Sequence, residues 1–136
     1  MQALYGRNGE CPVVVLAAST PGDCFRFAFE AGKIAMEHMT PVILLTDGFI
    51  ANGSEPWRIP QMKDYPAICP PIVDEAPEGG FMPYVRNEKL ARGWAFPGKV
   101  GLEHRVGGLE KDCVKGCISH DPSNHQKMTD TRAAKV

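Results

Sequence analysis

The chain has 136 residues, of which 43% are hydrophobic and 23% charged, with a net charge of -1. That length suits one domain of ordinary size, and the near-neutral balance argues against a nucleic-acid backbone binder or a polybasic membrane-surface protein. No apolar run nears the roughly 20 residues of a membrane span. The opening "MQALYGRNGE" lacks a signal-peptide core, so a cytoplasmic chain is expected, with the five cysteines (Cys11, Cys24, Cys69, Cys113, Cys117) as free thiols.

In chain order, the first pattern is "PVVVLAAS" from Pro12, a continuous β-branched run without alternation. Such a run is expected of a strand covered on both faces. "STPGDCFRFAFEAGKIAMEHM" follows and predicts a helix. Thr20 caps it, Pro21 suits the first helical position, and Asp23 stands where a capping box has Glu. Cys24, Phe27, Ala28, Ala31, Ile34 and Ala35 form one stripe, with Arg26, Glu30, Lys33 and Glu37 opposite. Phe25, Phe29 and Met36 widen the apolar surface, which predicts a helix covered on more than one side. His38 lies in the last turn, where the helix dipole favours a cation. "PVILL" then begins a second strand. Strand, helix and strand with short links make a parallel, right-handed βαβ unit.

The second strand stops at Thr46, Asp47 and Gly48 and gives way to the polar loop "GFIANGSE". Ligands and partners of parallel α/β sheets sit beyond the carboxyl ends of the strands. The loop is therefore expected either to face a crevice, a cofactor or another chain, or to be a plain solvated surface loop. A short helix is expected in it, with Asp47 near its start.

From Pro56 to Gly101 prolines and glycines crowd the chain, and no period persists except a short helical turn expected in "YVRNEKLARGW". Trp57, Tyr65, Phe81, Tyr84, Trp94 and Phe96 are spread through this stretch. Aromatic residues so placed call for a surface to lie on, so the stretch reads as an extended arm packed on another body. Asp121 and Pro122 then open a C-terminal helix. The domain reading is residues 1–59, 60–119 as arm, and 120–136 as a helical start of a further segment. Two parallel strands and one two-sided helix do not close a core. The chain reads as a piece of a larger α/β domain, or as a subunit completed by a partner.

Among the motifs that carry chemistry, "CVKGCISHDPSNH" offers Cys113, Cys117, His120 and His125, but their gaps are too short to wrap one zinc ion. No metal site is assigned. The glycine pairs in "VGGLEK" and "EGGFMP" lack a strand–helix nucleotide-binding context and read as turns. "GRNGE" sets Arg7 in a glycine-flanked turn. Its guanidinium can clasp a carboxylate bidentately, or the stretch is simply a surface turn. No nucleophile elbow is present, and no catalytic residue is assigned.

The runs "YGRNGE", "STPGDCF", "HMTPVILLTDGFIANGSEPWRIP", "NEKLARGWAFPG", "GLEHRVGGLEK" and "HDPSNHQKM", in this order, resemble the alpha subunit of 2-oxoacid:ferredoxin oxidoreductases, most nearly the 2-oxoglutarate type. The resemblance covers nearly the whole chain. It implies the late part of a thiamine-diphosphate pyrimidine-type domain, whose earlier strands and activating glutamate lie upstream of anything present. It implies oxidative decarboxylation of a 2-oxoacid with coenzyme A to acyl-CoA, carbon dioxide and reduced ferredoxin. Thiamine diphosphate with magnesium would be shared with other subunits, and an iron–sulfur cluster would sit in a partner. The partners implied are a beta subunit, gamma and delta subunits in some complexes, and ferredoxin through the complex, with self-association when the chain is expressed alone.

As the resemblance carries over, Arg7 and Asn8 are candidates on the substrate side. Asp47, Gly48 and Glu55 are candidates for shaping the loop beside the site, and Trp57 and Arg58 for an interface. Cys113 and Cys117 are not part of the family pattern. Two rivals stay open on sequence: a non-catalytic assembly module, and the same chemistry on pyruvate or branched-chain 2-oxoacids.

Overall fold

A computed structural model describes residues 1–136. A single turn, α1 (Gln2–Tyr5), precedes the valine-rich run, which becomes strand β1 (Val14–Ala17). Helix α2 (Pro21–His38) and strand β2 (Val42–Leu45) follow. The strands pair in parallel, Val14 beside Val42 through Ala17 beside Leu45, and the Ala18 N–H extends the ladder to the Leu45 carbonyl at 3.1 Å. This is the expected βαβ unit. Thr20 caps α2 by accepting the Asp23 N–H. The capping box is displaced by one residue, however. The Asp23 carboxylate accepts from the N–H and hydroxyl of Ser19, a residue further back than the box predicts. One turn, α3 (Gly48–Ala51), follows β2. Asp47 caps it, accepting the Ile50 N–H at 2.8 Å.

The chain divides into two compact units, Met1–Cys69 and Pro70–Val136. In the first, the arm folds back on α2. Phe25 and Phe29, the residues that widen the apolar stripe, receive Trp57 and Tyr65 at ring-centroid distances of 5.2, 6.1 and 4.5 Å. Part of the surface expected for the arm is thus the chain's own helix. A 3-10 turn, Met62–Asp64, leads on to Tyr65.

The second unit joins strands β3 (Ile72–Val73) and β4 (Trp94–Ala95) in parallel. Between them the expected helical turn is instead a tight hairpin in which Arg86 faces Arg92 in an antiparallel bridge. The cause is Asn87. Its side-chain carbonyl accepts the N–H groups of Lys89 and Ala91, both at 3.0 Å, and draws Leu90 to φ 57°. A side chain that bonds its own following backbone competes with helix. Helix α4 (Pro122–Lys135), capped by Asp121, buries Asn124 and Met128. Asn124 stitches the helix to the preceding loop, donating to the Lys111 carbonyl at 2.8 Å and accepting the Cys113 N–H at 2.9 Å.

Few residues are fully buried. The apolar ones are Val13, Ala18, Ala91, Leu102 and Met128, and none lies in α2. The chain exposes 9501 Å². One closed body of 14.9 kDa would expose roughly 7000 Å², and two bodies sharing that mass about 8500 Å². Large apolar side chains stand in the open: Phe49, Ile59, Met62, Val100 and Val106 are each more than three-quarters exposed. The surface is that of a chain whose apolar faces remain to be covered. No helix is long and apolar enough to cross a membrane.

Candidate functional site

The opening of the site follows from the βαβ topology. Beyond the carboxyl ends of β1 and β2, the first turn of α2 meets the loop that follows α3. Between them lies a cleft of about 530 Å³, walled by Pro21, Gly22, Cys24 and Phe25 on the helix side and Gly53, Ser54, Glu55 and Trp57 on the loop side. Its walls are mainly apolar, with Glu55 the one carboxylate.

Glu55 crosses the cleft to the helix. Its Oε1 accepts the Gly22 N–H at 2.5 Å. The first N–H groups of a helix have no partner within it and carry the positive end of the dipole, so a carboxylate is favoured there. Glycine permits the contact. A Cβ on Gly22 would stand 2.6 Å from Glu55 Oε1 and 3.0 Å from the Trp57 ring. Gly53 is equally confined, since a Cβ there would stand 2.9 Å from the Phe49 carbonyl and 3.2 Å from Pro21. Behind this contact, the Ser19 hydroxyl holds the Asp23 carboxyl below its usual range, and Arg26 adds an ion pair at 2.9 Å.

The candidate residues fall into groups. Glu55 and Trp57 line the cleft. Asp47 and Gly48 begin α3 and hold the loop's start without reaching the cleft. Arg58 is exposed beside Trp57. Arg7 and Asn8 stand in the exposed turn that leads into β1, and neither lines the cleft. There the Arg7 guanidinium reaches the Ala3 carbonyl at 3.4 Å and Cys11 Sγ at 3.7 Å. In the sequence, Pro21, Gly22, Cys24 and Phe25 read only as capping and core. The signal that could have marked them is Gly22 itself, a glycine in a helix's first turn where alanine is favoured.

The remaining motifs resolve into turns. Lys111, 3% exposed, sends its ammonium back to the carbonyls of Gly107 and Leu109, so "GGLEK" is a loop wound about a lysine. The segment carrying Cys113 and Cys117 is a turn around Asp112, whose carboxylate accepts the N–H groups of Val114 and Lys115 at 2.9 and 2.6 Å. Those two donors, Lys115 foremost, hold the Asp112 carboxyl below its usual range.

A cleft beyond the carboxyl ends of paired parallel strands is where α/β domains bind their ligands. The family described as pyruvate flavodoxin/ferredoxin oxidoreductase, thiamine diphosphate-binding, matches residues 1–119, and the chain belongs to that family. It is 55% identical over 137 residues to a 2-oxoglutarate oxidoreductase subunit, KorA, of Mycobacterium tuberculosis, covering 100% of this chain and 21% of that protein. It is 40% identical over 64 residues to a 2-oxoglutarate synthase subunit, KorA, of Archaeoglobus fulgidus, covering 47% of this chain and 18% of that protein. Among solved structures it matches the 2-oxoglutarate:ferredoxin oxidoreductase of Magnetococcus marinus, solved with 2-oxoglutarate, coenzyme A and succinyl-CoA bound. The TM-score is 0.89 at 28% identity, covering 98% of this chain and 23% of that one. The chain thus spans about a fifth of the length of the mycobacterial and Magnetococcus relatives.

The family's cofactor can be tested against the residues present. A diphosphate needs a free helix N-terminus or a metal held by carboxylates. The α2 N-terminus is already taken by Glu55, and no three His, Cys, Asp or Glu side chains gather to hold a metal ion. The residues of this chain do not by themselves fit the diphosphate–metal end of thiamine diphosphate. What they do form is an apolar slot, with Phe25 and Trp57 as walls and a carboxylate already committed to backbone.

Proposed function

We propose that this chain is part of the alpha subunit of an enzyme that oxidatively decarboxylates 2-oxoglutarate with coenzyme A, yielding an acyl-CoA, carbon dioxide and reduced ferredoxin. The observation that carries this reading is the 55% identity to the mycobacterial 2-oxoglutarate oxidoreductase subunit along the whole chain. The structural likeness to an enzyme solved with 2-oxoglutarate and coenzyme A bound supports it further.

In this reading residues 1–59 are the late part of the pyrimidine-type domain, 60–119 lead across to the rest of the subunit, and 120–136 begin the next segment. Thiamine diphosphate with magnesium is shared with other subunits, a beta subunit among them, and an iron–sulfur cluster in a partner passes electrons to ferredoxin. Arg7 and Asn8 face the substrate side, Asp47, Gly48 and Glu55 shape the loop beside the site, and Trp57 and Arg58 meet a neighbouring subunit. The setting is the cytoplasm, and the chain alone is inactive.

The test is a substrate comparison. The complex purified with this chain is assayed for reduction of a viologen dye with coenzyme A and, in turn, 2-oxoglutarate, pyruvate and a branched-chain 2-oxoacid. Preference for 2-oxoglutarate is expected. Preference for pyruvate would move the chain to another substrate class. Absence of turnover with all three would favour a non-catalytic module.

A further inference from the structure

Lys111 is the charged residue that the fold takes almost wholly out of solvent, at 3% exposed. Its ammonium donates to the Gly107 carbonyl at 3.0 Å and to the Leu109 carbonyl. An ammonium has three N–H groups, so one remains. Both acceptors are neutral, and no carboxylate of the chain comes within ion-pair distance of this lysine. The adjacent Glu110 is engaged by His125 at 2.7 Å and by Arg132 at 3.5 Å. Carbonyls satisfy hydrogen bonds but not charge, and a buried charge is costly without a counter-ion.

The loop over the ammonium leaves it open to approach. Within 4 Å, a Cβ on Gly107 would meet only the Lys111 ammonium, at 4.0 Å, and a Cβ on Gly108 would meet nothing. In a trans peptide the N–H points opposite to the C=O. The Gly108 and Glu110 N–H groups, which follow the two bonded carbonyls, therefore face away from the lysine, and neither donates within the chain. Val106 and Leu109, on either side of the glycine pair, are exposed apolar side chains. Glu103 and Arg105 are exposed and offset each other in charge, which leaves Lys111 to set the sign.

We propose that the loop 106–109 is a docking surface for an acidic residue of another polypeptide in the assembly, whose carboxylate neutralises Lys111 beside Gly107. Charge complementarity selects the acid: outward amides and an uncompensated ammonium behind them both favour an anion. The two apolar side chains select a polypeptide, since a free anion would leave Val106 and Leu109 in water while a protein segment covers them along with the charge. The site does not depend on the substrate assigned above.

Zero-length carbodiimide cross-linking of the purified native assembly, with the linked peptides read by mass spectrometry, tests it. Lys111 is expected to join an aspartate or glutamate of another polypeptide. Gly107→Asp offers the lysine a carboxylate from its own chain. It should cut that intermolecular link at least tenfold and make the chain leave the assembly at a roughly tenfold higher concentration on dilution. Gly107→Asn, of the same size but uncharged, should lose less on both counts. These variants leave Lys111 in place, so the result does not hang on whether Lys111→Met folds. A Lys111 that links to nothing, or only within its own chain, would overturn the proposal, as would a link and a dissociation unchanged in Gly107→Asp. Lys111 amidated by added glutarate in the intact assembly would also overturn it, assigning the lysine to a small-molecule acid.

Discussion

The Gly22 N–H and the Glu55 carboxylate, 33 residues apart in the chain, meet at 2.5 Å. This one bond ties the start of α2 to the loop after β2 and sets the width of the cleft. Truncating Glu55 to Ala should cost about 1 kcal/mol locally, the usual worth of a helix N-terminal acceptor. In the assembled protein that corresponds to a roughly fivefold faster hydrogen exchange at Gly22 and Asp23, since a factor of ten is about 1.4 kcal/mol. Glu55→Gln, which keeps the acceptor and loses the charge, should fall between. Unchanged exchange in Glu55→Ala would show that the bond does not hold the loop.

Gly22→Ala gives the opposite sign from helix propensity. Alanine in a helix usually gains up to about 1 kcal/mol over glycine. Here the new methyl carbon would stand 2.6 Å from Glu55 Oε1 and 3.0 Å from Trp57, so the loop must move off. A decrease in stability with a red shift of Trp57 emission is expected, and a stabilised protein with unshifted emission would count against the packing described.

Asn124 is 8% exposed and answers two backbone groups at once. Asn124→Ala leaves the Lys111 carbonyl and Cys113 N–H without their partner. A loss of about 2–4 kcal/mol is expected, since each unsatisfied buried group costs about 1–3 kcal/mol. Limited proteolysis of the assembled protein should then cut ahead of α4. Wild-type resistance in the variant would contradict this.

Stability should also respond to alkali in a definite direction. Burial, followed by Arg86 and Arg92, lowers the Lys135 ammonium to about 8. An unfolded lysine titrates near ~10.4. Between those values the unfolded chain binds more protons than the folded one, so this group makes stability rise with pH from about 8 towards about 10 and leaves it flat below. Lys135→Met should remove that rise and raise the melting temperature at about pH 7, where the buried charge is still present. Melting temperatures measured across this window for both proteins provide the check.

The local signals in the sequence are strong where a residue's partner is near in the chain. Thr20, Asp47 and Asp121 each cap the helix that follows, and the valine run and "PVILL" form the parallel pair that their composition predicts. The "NEKL" hairpin reads as a helical turn in sequence because Asn87's bonding to its own following backbone depends on a left-handed Leu90, which composition does not announce. The cleft is half legible. A polar loop beyond a strand end points to it, and Glu55 and Trp57 stand out there. Their partners Gly22 and Phe25 lie over thirty residues earlier, and no local period links them.

The central claim is that the apolar faces of this chain are completed by other polypeptide. Sedimentation and thermal unfolding of the purified chain, alone and with its complex, test it most directly. Alone, the chain should self-associate or lose structure over a broad range, and within the complex it should melt in one sharp transition. A compact monomer of 14.9 kDa that unfolds cooperatively by itself would contradict the account.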